Sequence, residues 1–267
     1  GVAHGGNLQL ARSRNDLGYA LTRLALRPLM LTMMSDLLNF RAILLDFARE
    51  HLNSLMPGYT HTQPAQPSTM AHYIGGVLSF LERDMARLCF AYDINNQSPL
   101  GAAALTGTGF PIDRQLSADL LGFNSVMASS YDSIGSSDNL TDVGNVLNSI
   151  GVNLSRFTRD MLFWATQESG AIRIDDSFIQ ISSIMPQKRN PVVLEHIRAR
   201  ISRMLGYAHG ISIQCHNIPF GDTQDIEDEI FPLIFGGLET AHDILDLYAV
   251  VMSTLHVNVE HLRERAI

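Results

Sequence analysis

The sequence predicts an all-α protein, built as an elongated bundle of five long helices. Leucine and methionine residues recur at steps of three and four over long stretches, which is the spacing of one helix face. The breaks between these stretches are rich in proline and glycine, and no alternating strand pattern of useful length is found. Hydrophobic residues make up 46% of the 267 residues, so the chain can build a sizeable core.

The first long helix is predicted to follow a glycine-rich start, residues 1–6, which we expect to be a loop. Its apolar face is marked by residues whose separations are sums of three and four: Leu17, Leu21, Leu24, Leu31, Met34, Leu38 and Leu45. Pro28 lies on this face, and we expect it to kink the helix rather than end it. A helix of roughly 35 residues is typical of a bundle.

Four further long helices are predicted, at residues 68–93, 139–168, 191–214 and 226–255, with a short helix at 115–121. Residues 56–67 form a break that contains three prolines and a glycine. The connection at residues 95–114 is long, and compact domains tolerate such loops mainly where they have a function. We interpret residues 1–267 as one helical domain rather than two.

Charge and cysteine content limit the possible partners and setting. The formal net charge of −8 argues against nucleic acid, because phosphate binding needs clustered lysine and arginine. The two cysteines, Cys89 and Cys215, have no metal-binding spacing and are expected to be thiols in a reducing compartment. We recognise no signal peptide and no uninterrupted apolar run of membrane-spanning length. We therefore expect a cytoplasmic protein without nucleic-acid or membrane partners.

The stretch with the richest chemistry is residues 182–191, between the third and fourth predicted long helices. It begins with two adjacent serine hydroxyls, which could supply a nucleophile or a proton acceptor. Lys188 and Asn190 could hold a carboxylate, one by charge and the other by hydrogen bonds. Pro191 suits the first turn of the next helix, with Asn190 as its N-cap. The same residues also fit an ordinary surface loop followed by a capped helix.

Three polar breaks together resemble a known family. Residues 182–191, SSIMPQKRNP, resemble the signature loop of the fumarase/aspartase superfamily, G-S-S-x-M-P-x-K-x-N-P, except that Ile181 replaces the leading glycine. Residues 12–16, RSRND, and 59–67, YTHTQPAQP, resemble the R-S-R-N-D and G-Y-T-H-x-Q-x-A-Q-P motifs of argininosuccinate lyases. By this resemblance, which covers essentially the whole chain, the sequence is identified as a member of the argininosuccinate lyase and delta-crystallin branch.

The resemblance implies the central domain of the fumarase/aspartase fold, whose long helices associate with those of other subunits into a tetramer. Members of the family carry a smaller domain on each side of it. Residues 1–267 are therefore expected to be the central helical-bundle domain without its flanking domains. Because the family's active sites combine loops from three subunits, we expect a homotetramer with shared sites and no complete site in a single chain.

The implied reaction is the elimination of fumarate from an N-substituted aspartate, here argininosuccinate giving arginine and fumarate, without a metal or other cofactor. By resemblance, Ser182 is the base, His61 supplies or relays the proton, and Glu195 is the carboxylate partner of that histidine. Lys188 would stabilise the serine alkoxide. The carboxylates of this small-molecule substrate would be bound by six polar residues: Ser13, Arg14, Asn15, Thr60, Gln187 and Asn190.

Departures from the family pattern concern the side of the leaving amine. Gln9 stands where a histidine is usual, and Ser137 where an arginine is usual. Asp222 lies near the place of a usual tyrosine, and the lysine that should follow is not evident. Two alternatives therefore stay open: a fumarate-releasing lyase for a different N-substituted aspartate, and a non-catalytic, crystallin-like structural homologue.

Each candidate also has a purely structural interpretation. A lone histidine after threonine is most often a turn residue, and Lys188 could be a solvated surface charge. Ser13 and Asn15 could simply cap the first long helix. The acidic residues 225–229 could suggest a metal site, but acidic residues also favour the start of a helix. We assign no metal ligands.

Overall fold

Helices make up most of the fold, and the all-α prediction is confirmed. The structure is a computed structural model that describes residues 2–267, with the backbone alone described for residues 2, 3, 6, 8 and 227. In chain order the helices are α1 (Val2–Gly5), α2 (Arg14–Glu50), α3 (Met70–Asn95), α4 (Arg114–Leu120), α5 (Asp132–Gly135), α6 (Asp138–Trp164), α7 (Val192–Cys215), α8 (Gln224–Glu227), α9 (Phe231–Thr254) and α10 (Val259–Ala266). The five predicted long helices correspond to α2, α3, α6, α7 and α9.

Short strands, which pair two by two, lie in the connections between the helices. They are β1 (Leu55–Thr60), β2 (Gln63–Thr69), β3 (Gln97–Ser98), β4 (Ser125–Val126), β5 (Ile172–Arg173), β6 (Gln180–Ile181), β7 (Arg189–Asn190) and β8 (His256–Val257). Strand β1 pairs with β2, β5 with β8 and β6 with β7, all antiparallel, while β3 and β4 are parallel. Among the described residues, only the β1–β2 pair is longer than two residues per strand, so the strands mainly shape the connections.

The chain divides into two compact units by its internal contacts. The first unit consists of Gly1–Thr32, Arg87–Val146 and Tyr207–Leu238. The second consists of Met33–Ala86, Leu147–Gly206 and Glu239–Ile267. Each of the five long helices contributes one segment to each unit.

Helix α2 is apolar on two faces. The row of side chains that is fully buried differs from the apolar row by which the helix was predicted. The buried row consists of Leu26, Met30, Met33, Leu37, Phe40 and Leu44. The leucines that marked it include four that are exposed: Leu21, Leu31, Leu38 and Leu45. Pro28 lies inside the helix, as predicted. In the described part of the chain, α2 alone is long and apolar enough to cross a membrane by length and composition, a weak test that core helices also pass.

A buried arginine links three helices in the first unit. Arg23 on α2 is 2% exposed and donates hydrogen bonds to the carbonyl oxygens of Ile94 (2.8 Å) and Asn95 (3.3 Å) at the end of α3. It also reaches Asn139 Oδ1 on α6 (3.4 Å), while Asn95 Nδ2 donates to the Arg23 carbonyl (2.9 Å). Burial lowers the pKa of Arg23 to about 10. The guanidinium therefore satisfies carbonyls that the end of α3 leaves free.

An aromatic stack forms the centre of the second unit. Tyr248 on α9 stacks with Phe40 on α2, at 5.1 Å between ring centroids, and with Phe157 on α6, at 5.6 Å. Its hydroxyl is hydrogen-bonded to Thr158 and donates to the carbonyl oxygen of Leu154 (3.1 Å). Because the only polar atom of this buried side chain is satisfied, the ring can occupy the core without a desolvation penalty.

The sequence-based expectation of no useful strand is wrong at residues 56–67, where β1 and β2 form a hairpin. The prolines that mask the pattern are tolerated because both strands of a two-stranded sheet are edges, and Pro57 lies opposite Pro67. The register shifts between Pro57 and Tyr59, which accommodates Gly58 as an irregularity. Helix α10 lies against β1 and β2 and supports the hairpin.

Four boundaries differ from the sequence-based expectations. Residues 1–6, expected to be a loop, contain α1 and the start of a 3-10 turn, Gly6–Gln9, although Gly1 lies outside the described residues. Helix α6 ends at Trp164, and α9 begins at Phe231 after the separate α8. Asn190 is not the N-cap of the next helix, because its backbone pairs with Gln180 and α7 begins only after Pro191.

Candidate active site

The predicted site residues are distributed over both compact units. The first unit holds Ser13, Arg14 and Asn15 at the start of α2. The second holds the hairpin with Thr60 and His61, and all the candidates between residues 182 and 195. Each unit therefore carries only part of the predicted set.

The start of α2 is a capping box, so the structural interpretation of Ser13 is confirmed. Ser13 Oγ accepts a hydrogen bond from the backbone N–H of Asn15 (3.2 Å), and Asp16 Oδ1 accepts one from the N–H of Ser13 (3.0 Å). Asn15 is not the cap. Its side-chain Nδ2 donates instead to the carbonyl oxygen of Ala104 (3.0 Å).

Asp16 has a structural role at this helix start that the sequence analysis missed. Its carboxylate is 1% exposed, and Oδ2 accepts hydrogen bonds from the backbone N–H groups of Gly101 (3.0 Å) and Ala103 (3.0 Å). Gly101 has φ +88°, a conformation that favours glycine. Asp16 thus anchors the long connection after α3 to the helix start that carries Ser13 and Asn15. The S-x-x-D spacing of a capping box was the available signal.

Arg14 extends from the same helix start and forms an ion pair with Asp222. The distance from Arg14 Nη2 to Asp222 Oδ2 is 3.7 Å, and the two side chains are 63% and 20% exposed. Asp222 Oδ1 is buried and, like the hydroxyl of Thr223, has no hydrogen-bond partner within the described part of the chain. A largely apolar cavity of about 410 Å³ adjoins Arg14 and is also lined by Tyr19 and Asp228.

His61 lies at the exposed tip of the β1–β2 hairpin. Thr60 pairs with Gln63, so His61 and Thr62 are the two central residues of the turn. Both have positive φ angles, 52° and 62°, as a type I′ turn requires. Asparagine and glycine usually occupy such positions, because other side chains are strained there. The turn therefore places backbone strain at the predicted catalytic histidine and its neighbour.

Thr62→Gly should raise the free energy of unfolding by roughly 1 kcal/mol, because glycine adopts this backbone conformation without the Cβ clash. The measurement is the midpoint of thermal unfolding of the variant against the wild type. Thr60→Gly is the matched control, since Thr60 is not among the residues with positive φ and glycine there should destabilise the strand. Equal destabilisation by both substitutions would contradict strain at the turn.

Ser182 begins the signature loop, residues 182–188, between β6 and β7. Its hydroxyl oxygen faces two backbone N–H groups, those of Ile184 (3.4 Å) and Met185 (3.2 Å). The N–H of Lys188 closes the loop by donating to the Met185 carbonyl (2.9 Å). Ile184 is 83% exposed at the tip. Donors that converge on a hydroxyl oxygen favour its deprotonated form, so the geometry suits a serine that acts as a base.

The remaining candidates lie in this loop or shortly after it in the sequence. Gln187 and Lys188 are exposed, and Asn190 belongs to β7. Glu195 is exposed in the first turn of α7. Within the described part of the chain, no hydrogen bond or ion pair joins His61 to Ser182, Lys188 or Glu195. The pairing of His61 with Glu195 therefore stays a prediction that a single chain does not fulfil.

A metal-binding cluster was considered for the acidic stretch at residues 225–229. Among the side chains that the structure describes, no group of three or more histidine, cysteine, aspartate or glutamate residues is arranged to hold a metal ion. Part of the stretch forms α8, and Asp225 accepts a hydrogen bond through its carbonyl from Gln214 (3.0 Å). Its visible role is to connect α7 with α9.

Comparison with solved structures defines the class of protein. The chain superimposes on a class II fumarase from Schistosoma mansoni with a TM-score of 0.84 and 18% identity, over 96% of this chain and 59% of the fumarase. It superimposes on EDDS lyase in complex with formate with a TM-score of 0.92 and 31% identity, over 98% of this chain and 52% of that one. The fold is thus the helical bundle of the fumarase/aspartase superfamily.

The family follows from the sequence comparisons. A family model described as "Lyase" matches residues 1–206, and the chain belongs to this family. It is 42% identical to the argininosuccinate lyase of Thermus thermophilus over 253 residues, which cover 94% of this chain and 54% of that enzyme. The resemblance to the argininosuccinate lyase branch is therefore confirmed. The chain spans about half the length of the curated relatives it matches.

Proposed function

We propose that the protein is an argininosuccinate lyase-like C–N lyase that eliminates fumarate from an N-substituted aspartate, with argininosuccinate as the leading substrate. The observation that carries the proposal is the placement of Ser182 Oγ before two backbone N–H groups, in a loop that also carries Lys188 and leads into strand β7 with Asn190. The relationship to argininosuccinate lyases supports the choice of substrate. Residues 1–267 would form the central domain of a longer cytoplasmic enzyme.

The first chemical step is removal of a proton from the carbon next to a substrate carboxylate. Ser182 would take this proton as an alkoxide. A free serine hydroxyl is too weak an acid to lose its proton at neutral pH, so the alkoxide must be stabilised by its surroundings. The N–H groups of Ile184 and Met185 supply this stabilisation directly, and the ammonium group of Lys188 would add positive charge.

The second step is departure of the amine, which must gain a proton as the C–N bond breaks. His61 would donate or relay this proton, because it is exposed at the tip of the hairpin. Glu195 would fix the tautomer of His61. The substrate carboxylates would be bound by the remaining predicted residues: Ser13, Arg14, Asn15, Thr60, Gln187 and Asn190. These side chains would supply the proton transfers and the charge stabilisation, so the proposal includes no cofactor.

The complete site would form between subunits of a homotetramer. The distribution of candidates supports this, because among the described residues no hydrogen bond or ion pair joins His61 to Ser182, Lys188 or Glu195. A second support is a seam on α2 and just beyond it, where Leu31, Leu38, Leu45 and Leu52 are exposed at intervals of seven residues. Exposed leucines at heptad spacing are typical of helices that pack against other helices.

Leu38→Glu should disrupt assembly, because a carboxylate at the centre of an apolar seam would be buried without a partner. Analytical ultracentrifugation of the full-length protein should give a tetramer for the wild type and smaller species for the variant. Leu120→Glu is the control, since Leu120 on α4 is exposed but lies outside the seam. A stable wild-type monomer, or an unchanged tetramer in Leu38→Glu, would contradict the seam.

A second candidate function is elimination from an N-substituted aspartate that carries a different amine. The Arg14–Asp222 ion pair favours it, because it places a carboxylate beside a predicted substrate-binding arginine. Residues 216–230 contain no lysine or arginine that could bind a carboxylate on the amine. An amine with an extra positive charge and no carboxylate would suit these surroundings. A crystallin-like structural homologue without activity is the third possibility.

The deciding experiment mixes the full-length protein with argininosuccinate and follows the ultraviolet absorbance of released fumarate. Turnover by the wild type supports argininosuccinate as substrate. Silence from an assembled tetramer leads to the reverse reaction, in which fumarate is offered with a panel of amines. Addition of another amine would replace argininosuccinate by the second candidate. Silence in both directions would leave the structural homologue.

A further inference from the structure

The stem of the signature loop has little intrinsic support. Strands β6 and β7 contain two residues each, with Gln180 opposite Asn190 and Ile181 opposite Arg189. Ile181 is 70% exposed, so no apolar face of this ladder is buried. An isolated two-stranded ladder of this size is not stable by itself in water. Something outside the ladder must therefore hold the two ends of the loop together.

Arg189 provides that connection. Its Nη2 donates a hydrogen bond to the carbonyl oxygen of Ile174 (3.1 Å) and another to the carboxylate of Asp176. Ile174 is a buried residue of the second unit, so the first of these hydrogen bonds ties Arg189 to the core of that unit. In the part of the chain that the structure describes, Arg189 is the only residue from 180 to 190 whose side chain bonds outside this segment.

The acceptor side of this contact is itself held in place. Asp175 Oδ1 accepts a hydrogen bond from the N–H of Ser177 (2.9 Å) and caps the 3-10 turn Asp176–Phe178. Arg173 also donates to Asp176 Oδ1 (3.1 Å). Hydrogen bonds from Arg189 and then Arg173 lower the pKa of the Asp176 carboxyl, so the pair remains charged below the usual range of an aspartate.

We propose that Arg189 is a positioning residue, whose contacts with Asp176 and the Ile174 carbonyl hold the stem of the signature loop in register. The effect is transmitted through the backbone, because Arg189 lies directly between Lys188 and Asn190 and opposite Ile181, the residue before Ser182. Successive residues of a strand point to opposite faces, so Arg189 can bind the body of the protein while Asn190 faces the other way. The consequence for catalysis rests on the proposed function.

Hydrogen exchange tests the positioning role without requiring activity. In the full-length protein, Arg189→Gln should increase the exchange rate of the peptide covering residues 180–190 by about tenfold, because the stem opens more often. Arg189→Lys keeps the charge opposite Asp176 and should restore part of the protection. Arg173→Gln is the matched control, since Arg173 contacts the same carboxylate but lies outside the loop. Equal exchange in Arg189→Gln and Arg173→Gln would overturn the proposal.

Kinetics then test whether the stem positions Ser182. Arg189→Gln should lower kcat by about 10–100-fold, with a smaller change in KM and an unchanged unfolding midpoint, because small displacements of reacting groups have large effects on rate. Arg173→Gln should stay within about twofold of the wild type. An active wild type with an unchanged Arg189→Gln variant overturns the positioning role. An inactive wild type contradicts the proposed function instead, and hydrogen exchange still decides the role of Arg189.

Discussion

Ser182→Ala should abolish release of fumarate, with kcat reduced by at least about a thousandfold, because no other group would then remove the proton from carbon. The variant is expected to fold normally. Ser182 is only half-buried, and within the described part of the chain its hydroxyl bonds to the N–H groups of its own loop and to no side chain. The measurement is the initial rate of fumarate formation, with whichever amine the wild type accepts.

Ser183→Ala is the matched control for this prediction. Ser183 is the adjacent serine and is exposed, and within the described part of the chain its hydroxyl has no hydrogen-bond partner. The control variant should keep its rate within a few-fold of the wild type. Equal loss in the two variants would mean that the loop, and not the Ser182 hydroxyl, had been damaged. An unchanged rate in Ser182→Ala would remove serine from the mechanism.

His61→Asn should lower activity while it increases stability. The variant removes the proposed acid and should lower kcat by about a hundredfold or more, because general acid catalysis typically contributes that much. At the same time it should raise the unfolding midpoint, because asparagine accepts the positive φ of a type I′ turn better than histidine does. Thermal unfolding and steady-state kinetics on the same preparation measure both effects.

A panel of amines tests the assigned role of His61 more sharply. A leaving amine that is easily expelled needs less protonation, so the loss of rate should shrink as the basicity of the amine falls. A loss that is the same for every amine would indicate that His61 binds substrate instead. His72→Asn is the control, since His72 is an exposed histidine on α3 that bonds to Ser68 (2.9 Å) and has no proposed part in the reaction.

The long helices could be predicted because their apolar spacing continues over many turns. The hairpin could not, since Pro57, Pro64 and Pro67 break the alternation that marks a strand, and their tolerance depends on both strands being edges. The predicted N-cap at Asn190 failed for a related reason. Proline at a helix start and asparagine before it fit a cap. Asn190 instead pairs with Gln180 in β6, ten residues earlier in the chain, and the residues around Asn190 give no sign of this pairing.

The candidate site was predictable as three motifs but not as an arrangement. The residue types at Ser182, His61 and Lys188 indicate proton transfer and charge stabilisation. No local pattern indicates whether His61 and Ser182 are hydrogen-bonded within one chain, and among the described residues they are not. Asp16 was missed because an isolated acid after a helix start is common, and its role depends on Gly101 and Ala103, far along the chain. Sequence patterns do not reveal contacts between residues that are far apart in the chain.

The exposed leucine seam of α2 has a consequence for biosynthesis. If the proposed tetramer forms, a newly made chain that has folded but not yet met other copies would expose this apolar surface to other proteins. Correct association then competes with aggregation, and the competition depends on concentration. We therefore expect recovery after dilution from denaturant to be best at intermediate protein concentration. Chaperones that cover apolar surfaces should increase the yield.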